Sequence, residues 1–535
     1  MKKKFIAICL AVISAFGLAL GGCGQKEVKI PDGPDYSDST KQFDFYGYSA
    51  LIDGWNIDGV DYDVEEDYLS VERIKEYKDA GMTIYFPQSA AAVSEAVAKD
   101  FANSAAKRAL DYSLEAGINK VILNDYRIQS LTKANFGTEN QIKAMVKDGT
   151  IYEHDNYGLI GEGKKFATEA ELDAFVEECL SLYIDHPAFY GIMLGDEPFF
   201  YHAKSYGEMF RSIKRVSEKL QKDVYIQYNL NPIGIASNEE SRSWRCPPLK
   251  NADGTPKDTS KMTETDLMIE SYDAYLRLFM DETGADYLQF DHYPLYDAEK
   301  VMEIYFVGLQ IAAEVVKDYD VEFYFVTQTF NMTDGSTVRR TLSEADMYWL
   351  NNMLLGFGVK QVSYFTYFTK ADNNAEHFKD GQSFLTWEGE KTDIYYWMQK
   401  IMAEEQKFAP TILNFDYKTS QVFKGSSLVF GLSHVMYKLD TPALTKVTNV
   451  EVNKEVALVT ELYDEAKGNY MYMFQNVVDP MKKGSKAFQT ITATFAEEYK
   501  YAAVYVKGER TLVALDDGKL TMKHTPGEAT YVIPY

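Results

Sequence analysis

Eight short apolar runs, each followed by a stretch with helical periodicity, fill the chain from Phe43 to about Pro410. The candidate strands are Phe43 to Leu51, Met82 to Gln88, Lys120 to Ile128, Tyr190 to Glu197, Asp223 to Asn229, Asp286 to Tyr293, Val321 to Phe330 and Gln361 to Thr369. Amphipathic stretches lie between them, among them Val71 to Ala80, Ala96 to Ala116, Glu169 to Ile184, Asp266 to Thr283, Val301 to Val316 and Ser343 to Phe357. Eight such alternations predict an α/β chain folded over 43–410 as a (β/α)8 (TIM) barrel more readily than as an open sheet. The helix-to-strand turns are short and glycine-punctuated, as helix C-caps should be (Gly81, Gly117, Gly284, Gly358). The long insertions fall instead in strand-to-helix connections: Gln129 to Thr168, Asn231 to Thr265 and Lys370 to Thr392. All three therefore belong to the C-terminal face of the barrel, where they wall a cleft. Beyond Pro410 short alternating runs separated by turn residues predict an all-β sandwich over 411–535, an accessory module with no catalytic set of its own.

The N-terminus carries Lys2, Lys3 and Lys4, an apolar stretch from Phe5 to Leu20, and the sequence Leu20-Gly21-Gly22-Cys23. The apolar run is short for a spanning helix and reads as a processing signal over 1–22. Its ending resembles the lipobox of bacterial lipoproteins, which implies lipidation of Cys23 and a chain anchored to the outer surface of the cell membrane. Residues 23–42 are polar and contain Pro and Gly, so a flexible tether is expected there, about 60 Å long at full extension with about 3.3 Å per residue. The net charge is −25 before the signal lysines are removed. So acidic a body repels nucleic acid and anionic polymers at long range and favours a neutral ligand. Outside the signal and Cys23 only Cys179 and Cys246 remain, too few for a disulfide scaffold, and two unpaired thiols are expected. Scattered histidines and the lack of a Cys/His cluster imply no metal site, and no cofactor is expected.

Chemistry concentrates at the predicted strand ends. The fourth strand runs Tyr190 to Pro198 (YGIMLGDEP), ending in adjacent carboxylates where a proline stops it. Two adjacent acids repel, which raises one pKa and suits it to general-acid work. The same acids also fit the N-terminal end of the following helix, Ser205 to Leu220, as a cap. Around the same mouth the barrel places Asp125 and Arg127, Asn229, Asp291 with His292 and Tyr293, Gln328, and Tyr364 with Tyr367; Tyr46 comes from the first strand. Carboxylates, amides and tyrosines suit a polyhydroxylated ligand, whose hydroxyls need paired donors and acceptors while aromatic faces stack on its C–H faces. Structural readings stand beside these: Asp125 with Arg127 as an ion pair, Asn229 as a loop support, and Tyr364 and Tyr367 as core aromatics.

The Tyr190–Pro198 run, the segment Gln289 to Pro294 (QFDHYP) and Val362 to Tyr367 (VSYFTY) resemble the barrels of clan A glycoside hydrolases, in particular the β-galactosidase-like relatives of family 42. The resemblance spans most of 43–410. It implies glycosidic bond hydrolysis of a carbohydrate substrate, with Glu197 as the acid/base and Asp196 standing where the clan keeps an Asn. The clan's nucleophile is a Glu ending the seventh strand, and this chain has Gln328 there. Asp291 is then the second carboxylate, activating water or attacking directly; a separation of about 6.5–9.5 Å marks inversion and about 5–5.5 Å retention. The adjacent Asp196-Glu197 pair also resembles the family 20 hexosaminidases, where Asp196 would orient an acetamido group and Glu197 donate the proton. A third reading is a surface lipoprotein that captures glycans without cleaving them, with Gln328 marking the lost nucleophile.

Overall fold

The computed structural model describes residues 30–48, 55–57, 60–62, 69–87, 91–132, 138–152, 160–161, 164–296, 300–301, 303–334, 337–368, 382–386, 389–424, 441–481 and 488–535. The signal segment, Cys23, the expected strand Ser426 to Phe430 and most of the Lys370–Thr392 insertion lie outside these residues. Parallel strands follow one another in chain order: β1 (Asp44–Gly47), β2 (Val121–Asn124), β3 (Phe189–Asp196), β4 (Tyr225–Asn229), β5 (Tyr287–Asp291), β6 (Glu322–Gln328) and β7 (Val359–Phe365). β2, β3 and β4 pair in that order, as do β5, β6 and β7, and β7 pairs with β1. A parallel bridge between Leu230 and Phe290 joins β4 to β5.

The expected strand Met82 to Gln88 makes one bridge, Tyr85 to Val121. Even so it hydrogen-bonds on both sides: Thr83 and Ile84 N–H donate to Phe45 O, and Ile122 N–H to Tyr85 O. Side-chain alternation then gives these segments a common inner face. Tyr46, Tyr48, Ile84, Phe86, Ile122, Met193 and Val326 form one buried cluster there. Gln227 and Gln289 share that layer, where the Gln227 amide donates to Tyr46 Oη (3.3 Å) and Tyr48 Oη (2.5 Å), and Tyr46 Oη donates to Gln289 Oε1 (3.2 Å).

The connecting helices are α1 (Val71–Asp79), α2 (Ala105–Ala116), α3 (Glu169–Leu180), α4 (Ala203–Leu220), α5 (Glu264–Thr283), α6 (Glu303–Tyr319), α7 (Glu344–Gly356) and α8 (Asp393–Ile412). Hydroxyl caps set their starts: Ser70, Ser104, Thr168, Thr263 and Ser343 each accept a backbone N–H of the first turn. Ser104 also explains why the expected helix Ala96 to Ala116 is two pieces. A short helix, Glu95–Lys99, ends before a 3-10 turn, and Ser104 then caps a fresh start.

The C-terminal residues form two antiparallel sheets from β8 (Asp416–Lys424), β9 (Val447–Val452), β10 (Val456–Asp464), β11 (Asn469–Asn476), β12 (Gln489–Phe495), β13 (Tyr501–Val506), β14 (Glu509–Ala514), β15 (Lys519–His524) and β16 (Ala529–Pro534). The larger has the order β8-β10-β11-β16-β13-β14 and the smaller β9-β12-β15. Val459, Phe474 and Val532 from one meet Val450, Ile491 and Phe495 from the other in a shared apolar cluster. Residues 30–42, expected as part of a flexible tether, instead lie against these sheets. Tyr36 is buried; it donates to Asp464 Oδ2 (2.8 Å) and accepts from Asn469 Nδ2 (3.0 Å), while Arg510 binds Pro34 O and Tyr535 Oη binds Pro31 O. Low hydrophobicity predicts disorder here, but the buried Tyr36 with its two polar partners and the backbone contacts at Pro31 and Pro34 dock the stretch. Cys179 and Cys246 are buried and are not joined in a disulfide.

Two charged groups sit where α7 and α8 meet the larger sheet. Arg340 is buried between Asp346 (2.5 Å) and Asp479 (2.8 Å), so its charge is paired. Glu405 on α8 is 7 % exposed, and its Oε2 has no hydrogen-bond partner among the described residues. Burial, with the Glu404 charge adding to it, pushes the Glu405 carboxyl from 4.5 up to about 8. Because the folded value lies above the unfolded one, this group's contribution to stability is complete below pH 4.5 and is lost as pH rises through about 8. Glu405→Gln is therefore expected to melt with the wild type at pH 5 and above it at pH 9, by an amount on the order of a few kcal/mol. Calorimetric melts at the two pH values check this, and equal pH dependence in both proteins would contradict it.

Candidate active site

Strand β3 brings the first two acids to the mouth through a local irregularity. Met193 pairs with Gln227 and Asp196 with Asn229, with a register shift between Met193 and Gly195. A regular strand would place residues 193 and 196 on opposite faces; the extra residue turns Asp196 to the inner face above Met193. Gly195 is required beside it, because a Cβ there would lie 1.8 Å from Tyr206 Oη. Glu197 follows with φ +46°, an uncommon left-handed backbone for a residue with a side chain. Its N–H donates to Asn229 O (2.8 Å), and the next carbonyl, Pro198 O, accepts from Tyr275 Oη (2.5 Å) and Asn231 Nδ2 (2.8 Å). The strained turn is thus held on both sides.

Asn229 and Asp291 arrive by ordinary alternation, two residues beyond Gln227 and Gln289. The Asn229 amide donates to Asp196 Oδ1 (2.9 Å) and to Asp291 Oδ1 (3.0 Å), joining the two acids across β4. Asp291 is buried at 3 % exposure, whereas Asp196 and Glu197 reach solvent. The cleft above them has a volume of about 410 Å³, and Glu197, Asp291, His292, Tyr293, Phe330 and Phe365 are among its lining residues. Tyr293 stacks on Phe365 at 5.4 Å and meets Phe330 edge-on at 5.2 Å, giving an aromatic wall beside the carboxyls.

Electrostatics follow from crowding three acids together. The cleft walls displace most of the water around Glu197 even though its tip is accessible. This desolvation and the Asp196 charge push its carboxyl up to about 7, against smaller downward pulls from a hydrogen bond with Asp291 and from Arg245. Burial, with the Glu197 and Asp196 charges adding to it, raises Asp291 well above the ordinary range; hydrogen bonds from Asn229 and Tyr293 oppose it. Desolvation raises Asp196 too, opposed by Asn229. Glu197 and Asp291 titrate as a pair. His292 is driven down to about 3 by burial and the nearby Arg339 charge, so its imidazole is neutral in the physiological range.

The structure therefore brings Asp196, Glu197, Asn229, Asp291, His292 and Tyr293 to one place. Tyr46 lies one layer beneath them, in the amide and tyrosine network. The other residues singled out at the strand ends are occupied inside the fold. Asp125 and Arg127 form a buried bidentate pair, with Tyr183 Oη also on Asp125 and Cys179 O on Arg127. Gln328 is clamped to backbone, accepting from Leu295 N (3.1 Å) and donating to Phe330 O (3.1 Å) and Leu295 O (3.3 Å). Tyr364 donates to Asn351 on α7, and Tyr367 rests edge-on against Tyr77. Phe365, overlooked between these two tyrosines, is the one that faces the cleft. Alternation contained that signal, since Gln361, Ser363 and Phe365 share a face. Phe330 lies two residues past the end of β6, although the expected strand includes it, and Arg339 and Arg245 come from connections, where no period marks orientation.

Replacing Asn229 by Leu removes the shared donor while leaving the volume similar. Both Asp196 and Asp291 are then expected to titrate higher than in the wild type, since the amide lowers each of them. Carboxyl-resolved NMR titration measures this; values unchanged by the substitution would show the amide to be electrostatically idle.

No family model and no curated protein matches the chain. Among solved structures it is similar to a GH27 β-L-arabinopyranosidase from Geobacillus stearothermophilus (11 % identity, 93 % of this chain and 97 % of that one, TM-score 0.43). It is also similar to an α-amylase from Geobacillus thermoleovorans (11 %, 92 % and 98 %, 0.42) and to a family 39 glycoside hydrolase from Bacteroides cellulosilyticus (12 %, 94 % and 83 %, 0.41). At TM-scores below 0.5 these likenesses define no family, and the chain's chemistry rests on its own residues.

Proposed function

We propose that the chain is a glycoside hydrolase that cleaves an oligo- or polysaccharide at the Glu197–Asp291 pair, on a closed (β/α)8 barrel over 43–410 followed by a β-sandwich over 411–535. The observation that carries this reading is two coupled carboxyls with raised pKa values at the foot of an aromatic-walled cleft. Repulsion keeps the pair from ionising together near neutrality, which leaves one group an acid and the other a base. Glu197, accessible and carried on the strained turn, protonates the glycosidic oxygen as the bond to the anomeric carbon breaks. Glu197 and Asp291 hydrogen-bond each other in the free protein, so on this reading the substrate parts them on entry. Asp291 then takes the proton from the attacking water, the products are two free hydroxyls and the pair returns to its starting proton count. Asp196 and Asn229 position the pair, and Tyr293 with Phe365 offers a face for the sugar ring. Gln328 has no carboxylate to offer, and its amide already serves the backbone. The strongly acidic chain disfavours densely charged polyanions, which points to a largely uncharged glycan. Under the lipobox reading the enzyme works at the outer surface of a bacterial cell, held by Cys23.

A glycan-library hydrolysis screen is the direct test. Glu197→Gln is expected to cut turnover by about 10²–10⁴-fold, and wild-type kcat is expected to fall as pH rises through about 7, where the acid loses its proton. Product anomers resolved by NMR separate inversion from retention and from acetamido-assisted cleavage. Binding without turnover in both proteins would replace hydrolysis by glycan capture. Loss of fatty-acid labelling in Cys23→Ser checks the anchor.

A further inference from the structure

A small antiparallel sheet overhangs the cleft: Leu295–Tyr296 pairs with Thr337–Arg339, which in turn pairs with Met332–Asp334. It delivers Arg339 to the cleft lining, together with Glu197, Asp291 and Tyr293. The guanidinium lies against three rings, with its carbon 5.7 Å from the Tyr293 centroid, 5.5 Å from Tyr296 and 5.8 Å from Phe330, and its Nε approaches Tyr293 O at 3.4 Å. Three ring faces and one long hydrogen bond hold the group in place without neutralising it. Among the described residues no carboxylate comes within ion-pair distance of it. The contrast with its neighbour is sharp, since Arg340 is closed off by Asp346 and Asp479.

A guanidinium positioned by three rings, with no carboxylate at ion-pair distance among the described residues, in a cleft of a chain with 80 acidic and 55 basic residues, is suited to an anion from outside. Building on the glycosidase reading, we propose that the cleft selects a sugar bearing a carboxylate, a uronic acid residue, whose two oxygens pair with the Arg339 fork while its ring lies along Tyr293 and Phe365. Planar, bidentate pairing is what an arginine offers and a neutral hydroxyl cannot match. The acidity of the whole chain argued for a neutral ligand, but that field is screened over about 8 Å at physiological ionic strength, whereas the Arg339 contact is made at hydrogen-bond distance. Protons retained by the Glu197–Asp291 pair also lessen the negative charge that the carboxylate meets on entry. Arg339 is thus a specificity-determining residue, and a glycan with isolated uronates fits where a dense polyanion does not.

The test uses full-length Glu197→Gln protein, to stop turnover, and calorimetric titration with oligosaccharides containing glucuronate or galacturonate and with their carboxyl-reduced counterparts. At least one acidic sugar is expected to bind about 10- to 100-fold more tightly than its reduced partner. Adding Arg339→Gln should bring that ratio to about one, and Arg339→Lys should restore part of it; circular dichroism melts confirm that each variant is folded. Equal affinity for acidic and reduced sugars, a preference untouched by Arg339→Gln, or no binding of any acidic member overturns the inference. Selective binding with no hydrolysis by wild-type protein would remove the glycosidase reading and leave the Arg339 role standing. Hydrolysis of neutral glycans without discrimination would do the reverse.

Discussion

One side-chain amide, that of Asn229, sets the terms for everything around it. It donates to two carboxyls on neighbouring strands, and its backbone carbonyl fixes the turn that carries a third. Three acids brought together in a partly dry site would repel one another by several kcal/mol if all were ionised and unassisted. The fold relieves this with hydrogen bonds and retained protons, and with no ion pair to any of the three acids among the described residues. Buried Asp125, by contrast, has a cationic partner in Arg127. The bulge in β3 brings Asp196 within reach of this amide, and the Tyr275–Asn231 clamp holds the turn that carries Glu197 into the cleft.

Alternation of strands and helices is legible in the amino-acid sequence because it depends on short-range periodicity, which each segment carries by itself. Seven of the eight expected strands form strands of the two paired sheets, and the Met82 to Gln88 segment makes strand-like hydrogen bonds on both sides. The acids are legible for a similar reason: charge at the end of an apolar run faces an opening, as Glu197 does, or needs a partner inside, as Asp125 has in Arg127. What could not be read was the choice between adjacent residues of the same class. Tyr364 and Phe365 differ in which face they occupy, and only the register with β1 and β6 decides it. Gln328 was chosen by position alone, yet its neighbours are backbone groups of a connection, invisible to any local pattern. Arg339 and Arg245 lie in connections whose path is set by tertiary contacts.

The C-terminal sheets are fastened to the helical side as a core is, not as a loosely hinged neighbour. Gln475 of β11 donates to Trp349 O on α7, and a Cβ on Gly356 would lie 2.3 Å from the methyl of Met473. Met471, Met473 and Ile533 belong to the same apolar cluster as residues of α7 and α8. With Arg340 bridging Asp346 and Asp479, this contact combines apolar packing with a buried charge that cannot be separated from its partners without a cost of several kcal/mol. The two parts therefore share one packed, ion-paired contact.

The segment from Ile30 to Gln42 is packed against the same sheets. Its carbonyls at Pro31 and Pro34 are held by Tyr535 and Arg510, so the chain leaves the folded body beside the outer edge of the sheets. If the lipid anchor is at Cys23, the seven residue steps from there to Ile30 can span at most about 23 Å at about 3.3 Å each, against about 60 Å for the whole of 23–42. Under that anchoring, the point where Ile30 joins the folded body would be held within about 23 Å of the lipid, and a long polymer would have to reach the body there instead of being swept for.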